Sequence, residues 1–348
     1  MTNLNLRVSQ EILLFLSIPI EYTARELPRD NSLLLKIHRG HLCTQMNVHI
    51  LSPRFEEYLS QKKALIERSL ERLLPPVDEE PRIIHESMRY SVFAGGKRLR
   101  PVLAVTAFEI VGGQGDQILP LASGLELIHT YSLIHDDLPC MDNDDFRRGR
   151  PTNHKVYGEA IAVLAGDALF SLAFECFLGK GMTEPIPWAI LGQISHHIAS
   201  AVGSRGLVGG QVMDIEKYSK DKQLPTLEQT SHLKTGHLIQ TALECGAVLA
   251  AADQGALAAL RDYGQAIGIA FQITDDILNV TGDARKLGKG VNTDAARDIV
   301  TFPSLLGVEG ARMQARKWIS RAKESLSRFG DSAWFLHELA DYVIQRQS

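Results

Sequence analysis

An all-α fold, a large antiparallel helix bundle around a central cavity, follows from two features of the sequence. Long Ala/Leu/Ile-rich stretches recur from about Pro53 to the C-terminus, separated by Gly, Pro and short polar loops, while β-branched alternation over strand lengths is almost absent. Ten or more such helices bury their apolar faces against one another, and polar groups that project inward meet at the centre. The second feature is a pair of carboxylate clusters about 140 positions apart, each at the end of or inside an apolar helix. Two such stripes belong on opposite walls of one cavity, because buried carboxylates without a partner are costly.

Taken in order, residues 1–45 mix short apolar and basic runs without a sustained period and are read as an N-terminal extension, with one domain over 46–348 and Met46 as an alternative start. The apolar run Ile12–Ile20 is too short to span a bilayer and has no convincing cleavage site after it, so neither a membrane anchor nor a signal peptide is expected. From Pro53 onward Phe55, Leu59, Leu65, Ile66, Leu70 and Leu73 recur at steps of three and four, and Pro75-Pro76 ends that helix. Ile83–Phe93 resumes the pattern before Gly95-Gly96. Helical stretches follow at 101–111, 117–136, 158–178, 187–203, 227–252, 256–279, 303–327 and 331–345. No tandem repeat or low-complexity segment interrupts them.

The 348 residues are 45% apolar with a formal charge of −4, which excludes the strong basic bias of a nucleic-acid binder. Four scattered cysteines, Cys43, Cys140, Cys176 and Cys245, form no CxxC pair and point to a reducing, cytoplasmic setting.

The first cluster reads His135-Asp136-Asp137-Leu138-Pro139-Cys140-Met141-Asp142-Asn143-Asp144-Asp145. These carboxylates repel one another unless a cation or a metal-diphosphate complex joins them, and hard Mg²⁺ prefers such oxygen ligands. On an unbroken helix, at about 100° per residue, Asp136 and Asp142 point in different directions. Pro139 disfavours helical geometry at Leu138, so a bulge there brings Asp142 back beside Asp136. A solvated acidic loop is the competing reading. The second cluster, Phe271-Gln272-Ile273-Thr274-Asp275-Asp276-Ile277-Leu278-Asn279, puts Gln272, Asp275/Asp276 and Asn279 on one helix face. With it, surface decoration no longer explains the first.

Basic groups accompany both. Gly95-Gly96-Lys97-Arg98-Leu99-Arg100-Pro101 sets Lys97 and Arg100 one turn apart behind glycines that permit close approach, an array suited to a diphosphate. Arg147-Arg148-Gly149-Arg150 follows the first cluster, and Lys234-Thr235-Gly236 lies between the two. Most such basic runs are simply solvated. His129, seven residues before Asp136, shares its helix face and is either a diphosphate ligand or a satisfied core histidine. Gly206, Gly209-Gly210-Gln211 and Asp214 mark a helix in close contact with a neighbour, with Gln211 able to face the cavity.

Together, Gly-Gly-Lys-Arg-Leu-Arg-Pro (95–101), Asp-Asp-x4-Asp (136–142) followed by Arg-Arg-Gly, Lys-Thr-Gly (234–236) and Phe-Gln-x2-Asp-Asp (271–276) resemble the trans-prenyltransferase (polyprenyl diphosphate synthase) family, over about residues 54–347 and in matching order. The resemblance implies the isoprenoid synthase fold, a homodimer, and Mg²⁺-dependent joining of an allylic diphosphate (dimethylallyl, geranyl) to isopentenyl diphosphate, with three ions on the bound diphosphate. It implies Asp136, Asp142 and Asp275 as Mg²⁺ ligands, supported by Asp137 and Asp276. Arg147, Lys234 and Lys289 resemble the groups on the allylic diphosphate, with Thr235 and Gln272 lining the pocket. Lys97, Arg100, His129 and Arg148 resemble the isopentenyl diphosphate site, and Gln211 a cavity residue. Neither nucleic acid nor stable membrane insertion is implied.

Tyr131, five residues before Asp136 and followed by Ser132, resembles the aromatic floor of bacterial farnesyl diphosphate synthases, so farnesyl diphosphate is the expected product. The segment 129–164 is also similar to geranylgeranyl diphosphate synthases, and core packing is the other reading of Tyr131. Two positions depart from the family: Asn279 replaces the usual closing Asp, and Asp298-Ile299 replaces a common Gly-Lys before Thr301. Weaker allylic binding or an altered metal demand is expected from them, to be relieved by Asn279→Asp and Ile299→Lys. A non-catalytic partner subunit would lack the first cluster or the Lys97/Arg100 pair, and a terpene cyclase needs no Lys97, Arg100 and Arg148 set; all of these residues are present.

Overall fold

The computed structural model describes residues 52–182, 185–216, 223–281 and 300–346, with the backbone of two strands before them. Two compact units divide at Ser52/Pro53. In the first, β1 (Ser32–Arg39) and β2 (Leu42–His49) pair antiparallel, Ser32 opposite His49 and Arg39 opposite Leu42. The sequence pattern predicts no strand here, because Leu33-Leu34-Leu35 breaks the in–out alternation by which a strand is recognised. The boundary read at 45/46 falls inside β2.

The second unit is helical. Its elements are α1 (Pro53–Leu73), α2 (Arg82–Val92), α3 (Leu99–Ile110), α4 (Leu119–Asp136), α5 (Asn153–Tyr157), α6 (Glu159–Phe177), α7 (Trp188–Val202), α8 (Leu207–Ile215), α9 (Leu224–Ser231), α10 (His237–Leu249), α11 (Gln254–Thr281), α12 (Phe302–Ser325) and α13 (Trp334–Gln345). A two-residue ladder, β3 (Phe146–Arg147) with β4 (Arg150–Pro151), is the sheet of this unit among the described residues. The expected all-α bundle is thus the observed one.

α4 is apolar all round, as a central helix must be, and Leu121, Leu125, Leu127 and Ile128 are fully buried. Each such side chain contributes about 1.5–3 kcal/mol of burial. α1, α2, α3 and α6 surround it. α10 is the corresponding central helix of the other half, packed on α3, α7 and α11, and α11 lies along α12. The acid-bearing helices α4 and α11 are therefore joined through the α3–α10 pair. α6 is long and apolar enough to cross a membrane by length and composition, with mean hydropathy 1.8. Here it packs against α4 and leaves Val163 and Leu164 39% and 53% exposed.

The stretch 227–252 reads as one helix in the sequence but is divided by a π-helical turn, His232–Gly236, between α9 and α10. A single π turn keeps the chain helical and only rotates the faces that follow, so apolar periodicity does not register it. It places Lys234 and Thr235 at a helix irregularity of the kind common at functional sites.

Candidate active site

α4 ends at Asp136, and the chain then turns as Pro139 requires. Asp142 N–H donates to the Asp136 carbonyl at 2.8 Å, and Asn143 N–H to the Leu138 carbonyl at 3.1 Å. The bulge read from Pro139 therefore exists, and it brings Asp142 back beside Asp136. Burial pushes the Asp136 carboxyl up to about 6, with Asp142 and Asp137 adding to the rise and Lys234 and Arg147 opposing it. A cation between Asp136 and Asp142 would remove that penalty. Among the described residues no three His, Cys, Asp or Glu side chains form a complete metal cage. Two neighbouring carboxylates fit instead a hard divalent ion whose other ligands are phosphate oxygens and water.

Asp137 is engaged by Arg147. Its Oδ1 and Oδ2 accept from Arg147 Nε at 2.8 and 2.9 Å, and Oδ1 accepts from Arg147 Nη2 at 2.6 Å. This bidentate pair is nearly closed to solvent at Asp137, only 4% exposed, and open at Arg147, 32% exposed. Asp137 thus fixes Arg147, and Arg147 keeps its other donors for an anion. Behind the pair lies a small cavity of about 30 Å³, lined by Tyr90, Thr130, Ile134, Arg147, Arg148 and Asn153. It has room for a water.

On the other wall, Lys234 Nζ bonds Asp214 Oδ2 of α8 at 2.5 Å and lies near enough to Asp136 and Asp142 to feel both. Burial lowers the ammonium pKa, but these three carboxylates outweigh it and raise it overall. Thr235 Oγ1 donates to Gln272 Oε1 at 3.2 Å, and Gln272 Nε2 to Asp276 Oδ1 at 2.8 Å. Asp276 Oδ2 in turn accepts the Phe302 N–H at 3.1 Å, at the start of α12. That terminus also carries a capping box between Thr301 and Ser304. Asp276, buried at 5% exposed, thus caps α12 and orients Gln272. Asp275, on the next helix face, accepts from Arg346 Nη2 at 2.7 Å.

Of the basic array, Arg100, Arg148 and His129 lie close enough to feel one another. Gly95 and Gly96 have φ of +94° and +129°, and a Cβ on Gly96 would meet the Arg148 guanidinium at 2.8 Å. Only glycine leaves that cradle open, and Arg148 Nη1 donates to the Gly95 carbonyl across it. Burial, aided by Arg148, pushes Arg100 down to about 10, and its buried Nε has no hydrogen-bond partner. Burial and then Arg100, Arg148, Arg147 and Arg98 hold His129 well below its usual range, so it is a neutral ring among cations. A cluster of this kind can take an anion. Lys97 Nζ is exposed and lies 5.7 Å from the Tyr342 ring centroid.

Tyr131 is buried beneath Asp136, edge-on to Phe170 of α6 at 5.2 Å and to His135 at 5.7 Å. Phe170 continues to Phe174 and Phe177, at 5.1 and 5.5 Å between successive rings. Ser132 donates to the His129 carbonyl of its own helix at 2.9 Å. Gln211 is buried on α8 next to Gly210, whose added Cβ would meet Lys234 N at 2.4 Å. Asn279 is buried on α11, while Lys289, Asp298 and Ile299 lie outside the described residues.

Three contributors escape a reading of motifs. Arg98, fully buried, donates to Glu67 at 2.8 Å, to Glu126 at 2.6 Å and to the Val92 carbonyl at 2.6 Å. Glu126, in the middle of apolar α4 and three residues before His129, is the available signal for that ion pair. Arg346 gives none, since its partner Asp275 is 71 positions away.

The polyprenyl synthetase family model matches residues 81–331. A dimethylallyltranstransferase of Fischerella ambigua is 41% identical over 330 residues, covering 93% of this chain and 94% of that protein. The farnesyl diphosphate synthase of Bacillus subtilis is 40% identical over 296 residues, covering 85% and 99%. The solved geranylgeranyl pyrophosphate synthetase of Pyrococcus horikoshii superposes with a TM-score of 0.75 at 30% identity, over 84% of this chain and 99% of that one. With two acidic clusters, the basic arrays beside them and an all-helical bundle of matching shape, the chain belongs to the polyprenyl synthetase family and is a trans-prenyltransferase.

Proposed function

We propose that the chain condenses dimethylallyl and geranyl diphosphates with isopentenyl diphosphate, in a Mg²⁺-dependent reaction, to give farnesyl diphosphate. The observation that carries the product length is the Tyr131–Phe170 edge contact one helical turn below Asp136. A ring braced from a second helix cannot swing aside without repacking Phe170 and Phe174, so it blocks a chain growing past Asp136. The geranylgeranyl reading is favoured by the likeness to the Pyrococcus horikoshii enzyme, and it predicts a longer product.

Mg²⁺ held by Asp136, Asp142 and Asp275 would supply charge neutralisation for the allylic diphosphate as its C–O bond breaks. Arg147, aimed by Asp137, and Lys234, aimed by Asp214, bind the remaining oxygens of that leaving diphosphate and stabilise its growing charge. Thr235 and Gln272 line the same end. Lys97, Arg100 and Arg148, with neutral His129 as a donor, hold the second diphosphate and so orient the isopentenyl double bond toward the allylic carbon. The new C–C bond forms there, and the released diphosphate accepts the proton that leaves. Apolar walls around Tyr131 exclude water, which would otherwise capture the allylic cation. A cytoplasmic homodimer joined through the outer face of α6 completes the reading.

The test is product analysis with Mg²⁺, labelled isopentenyl diphosphate and either dimethylallyl or geranyl diphosphate, alongside Tyr131→Ala. A fifteen-carbon product that lengthens by one or more isoprene units in the variant is the expected outcome. A twenty-carbon product from the wild type would establish the geranylgeranyl reading, and no product with either allylic substrate would leave a non-catalytic partner subunit.

A further inference from the structure

Asp275 is already occupied by a group that the proposed reaction does not use. Arg346, just beyond α13, donates from Nη2 to Asp275 Oδ1 at 2.7 Å and to the Phe271 carbonyl at 2.9 Å. Its guanidinium carbon stands 3.7 Å from the Phe271 ring centroid. The Arg346 side chain is 4% exposed, that of Asp275 38%. Arg346 Nε is buried and has no hydrogen-bond partner. A planar fork that stacks on a ring and grips a carboxylate is a strong anchor for Asp275, yet the orphaned donor makes this seat an imperfect one for the arginine itself.

We propose that Arg346 is a built-in counter-cation that holds the second carboxylate cluster while no metal is bound and competes with the divalent ion for Asp275. The inference rests on the reading of Asp275 as a metal ligand. A divalent ion on Asp275 and a guanidinium on the same carboxylate are like charges a few ångströms apart in a half-buried place, so they do not share it at full strength. Either the ion binds weakly or the arginine withdraws. Withdrawal has a route, because Arg346 sits just past the last turn of α13, at its C-cap. One turn earlier, the Tyr342 ring faces Lys97. The same helix end therefore touches the metal end of the cavity and the basic array that takes the second diphosphate. Its release on metal binding is felt at both.

A residue that merely pins the C-terminus would, when lost, leave metal affinity unchanged or lower it. Competition has the opposite sign. Binding of Mn²⁺ to the full chain in the presence of inorganic diphosphate, read from the electron paramagnetic resonance of the free ion, distinguishes them. Arg346→Gln is expected to tighten Mn²⁺ binding about fivefold. Arg346→Met, which keeps the stem on Phe271, is expected to do the same, so that a folding defect peculiar to one variant does not decide the outcome. The gain should vanish on Asp275→Asn, with the double variant within about twofold of Asp275→Asn alone. If both Arg346 variants bind Mn²⁺ no more tightly than wild type while Asp275→Asn weakens it, the competition is overturned and Asp275 remains a ligand. If Asp275→Asn changes nothing, the ligand reading itself is overturned, and this inference with it.

Discussion

Glu126 is a carboxylate fixed inside a central, almost wholly buried helix of the bundle, 1% exposed, and its charge is matched by Arg98 at 2.6 Å. Arg98 stands at the entry to α3 with φ of 50°, a left-handed backbone that a bulky residue adopts only when its surroundings hold it there. The pair therefore shapes the loop that presents Lys97 on one side and Arg100 on the other. Glu126→Gln leaves the buried guanidinium with the partly exposed Glu67 as its carboxylate partner, a loss of about 3–5 kcal/mol of stability. Thermal unfolding followed by circular dichroism should show a lower midpoint. Steady-state kinetics should show the KM for isopentenyl diphosphate rising about tenfold with the allylic KM within twofold. A role confined to core stability would move the midpoint and spare that split.

At the scale of elements, α8 and the π turn act as one piece. Gly210 lies so close to the turn that a Cβ would stand 2.4 Å from Lys234 N and 2.8 Å from its Cα, backbone atoms that cannot give way. One turn further along α8, Asp214 grips the Lys234 ammonium. Gly210→Ala must push the two apart, costing about 1–3 kcal/mol as overpacking and moving the ammonium off its line toward Asp136 and Asp142. The expected result is about a tenfold fall in kcat/KM for the allylic diphosphate, measured by varying that substrate, with kcat/KM for isopentenyl diphosphate at saturating allylic substrate falling less. The contact was legible as far as Gly209-Gly210 marks a close approach. That Lys234 is the neighbour, through a π turn, was not, because apolar spacing carries no record of hydrogen-bond register.

For the molecule as a whole, the sequence revealed what repeats and what is local. Apolar periodicity gave the bundle, and Pro139 gave the bulge that returns Asp142 to Asp136. What it could not apportion was which carboxylate of each Asp-Asp pair faces the cavity. Asp137 and Asp276 are identical in type to their neighbours, yet one is spent on Arg147 and the other on capping α12, roles set by side chains and termini brought in by tertiary packing. The same limit hid Arg346, since charge pairing over such separations has no period to read.

The outward face of α6 is the surface through which the proposed homodimer would form. Of an 18-residue window of this strongly apolar helix 44% is buried, and Val163 and Leu164 stand adjacent on its open side with Ala160 one turn before them and Asp167 one turn after. A two-fold axis near Leu164 would set this stripe against itself, the self-complementary arrangement that dimers favour. Its inner face carries Phe170, the brace of Tyr131. Pairing on one side of α6 therefore stiffens the floor on the other. Leu164→Glu puts two unpaired carboxylates at the centre of such an interface and should yield a monomer by sedimentation velocity, at concentrations where the wild type sediments as a dimer. It should also broaden the products toward longer chains, because an α6 without a partner lets Phe170 yield. A wild type that sediments as a monomer, or a Leu164→Glu variant that stays dimeric, would remove α6 from the interface; a monomeric variant with an unchanged product would keep the interface and sever its link to the floor.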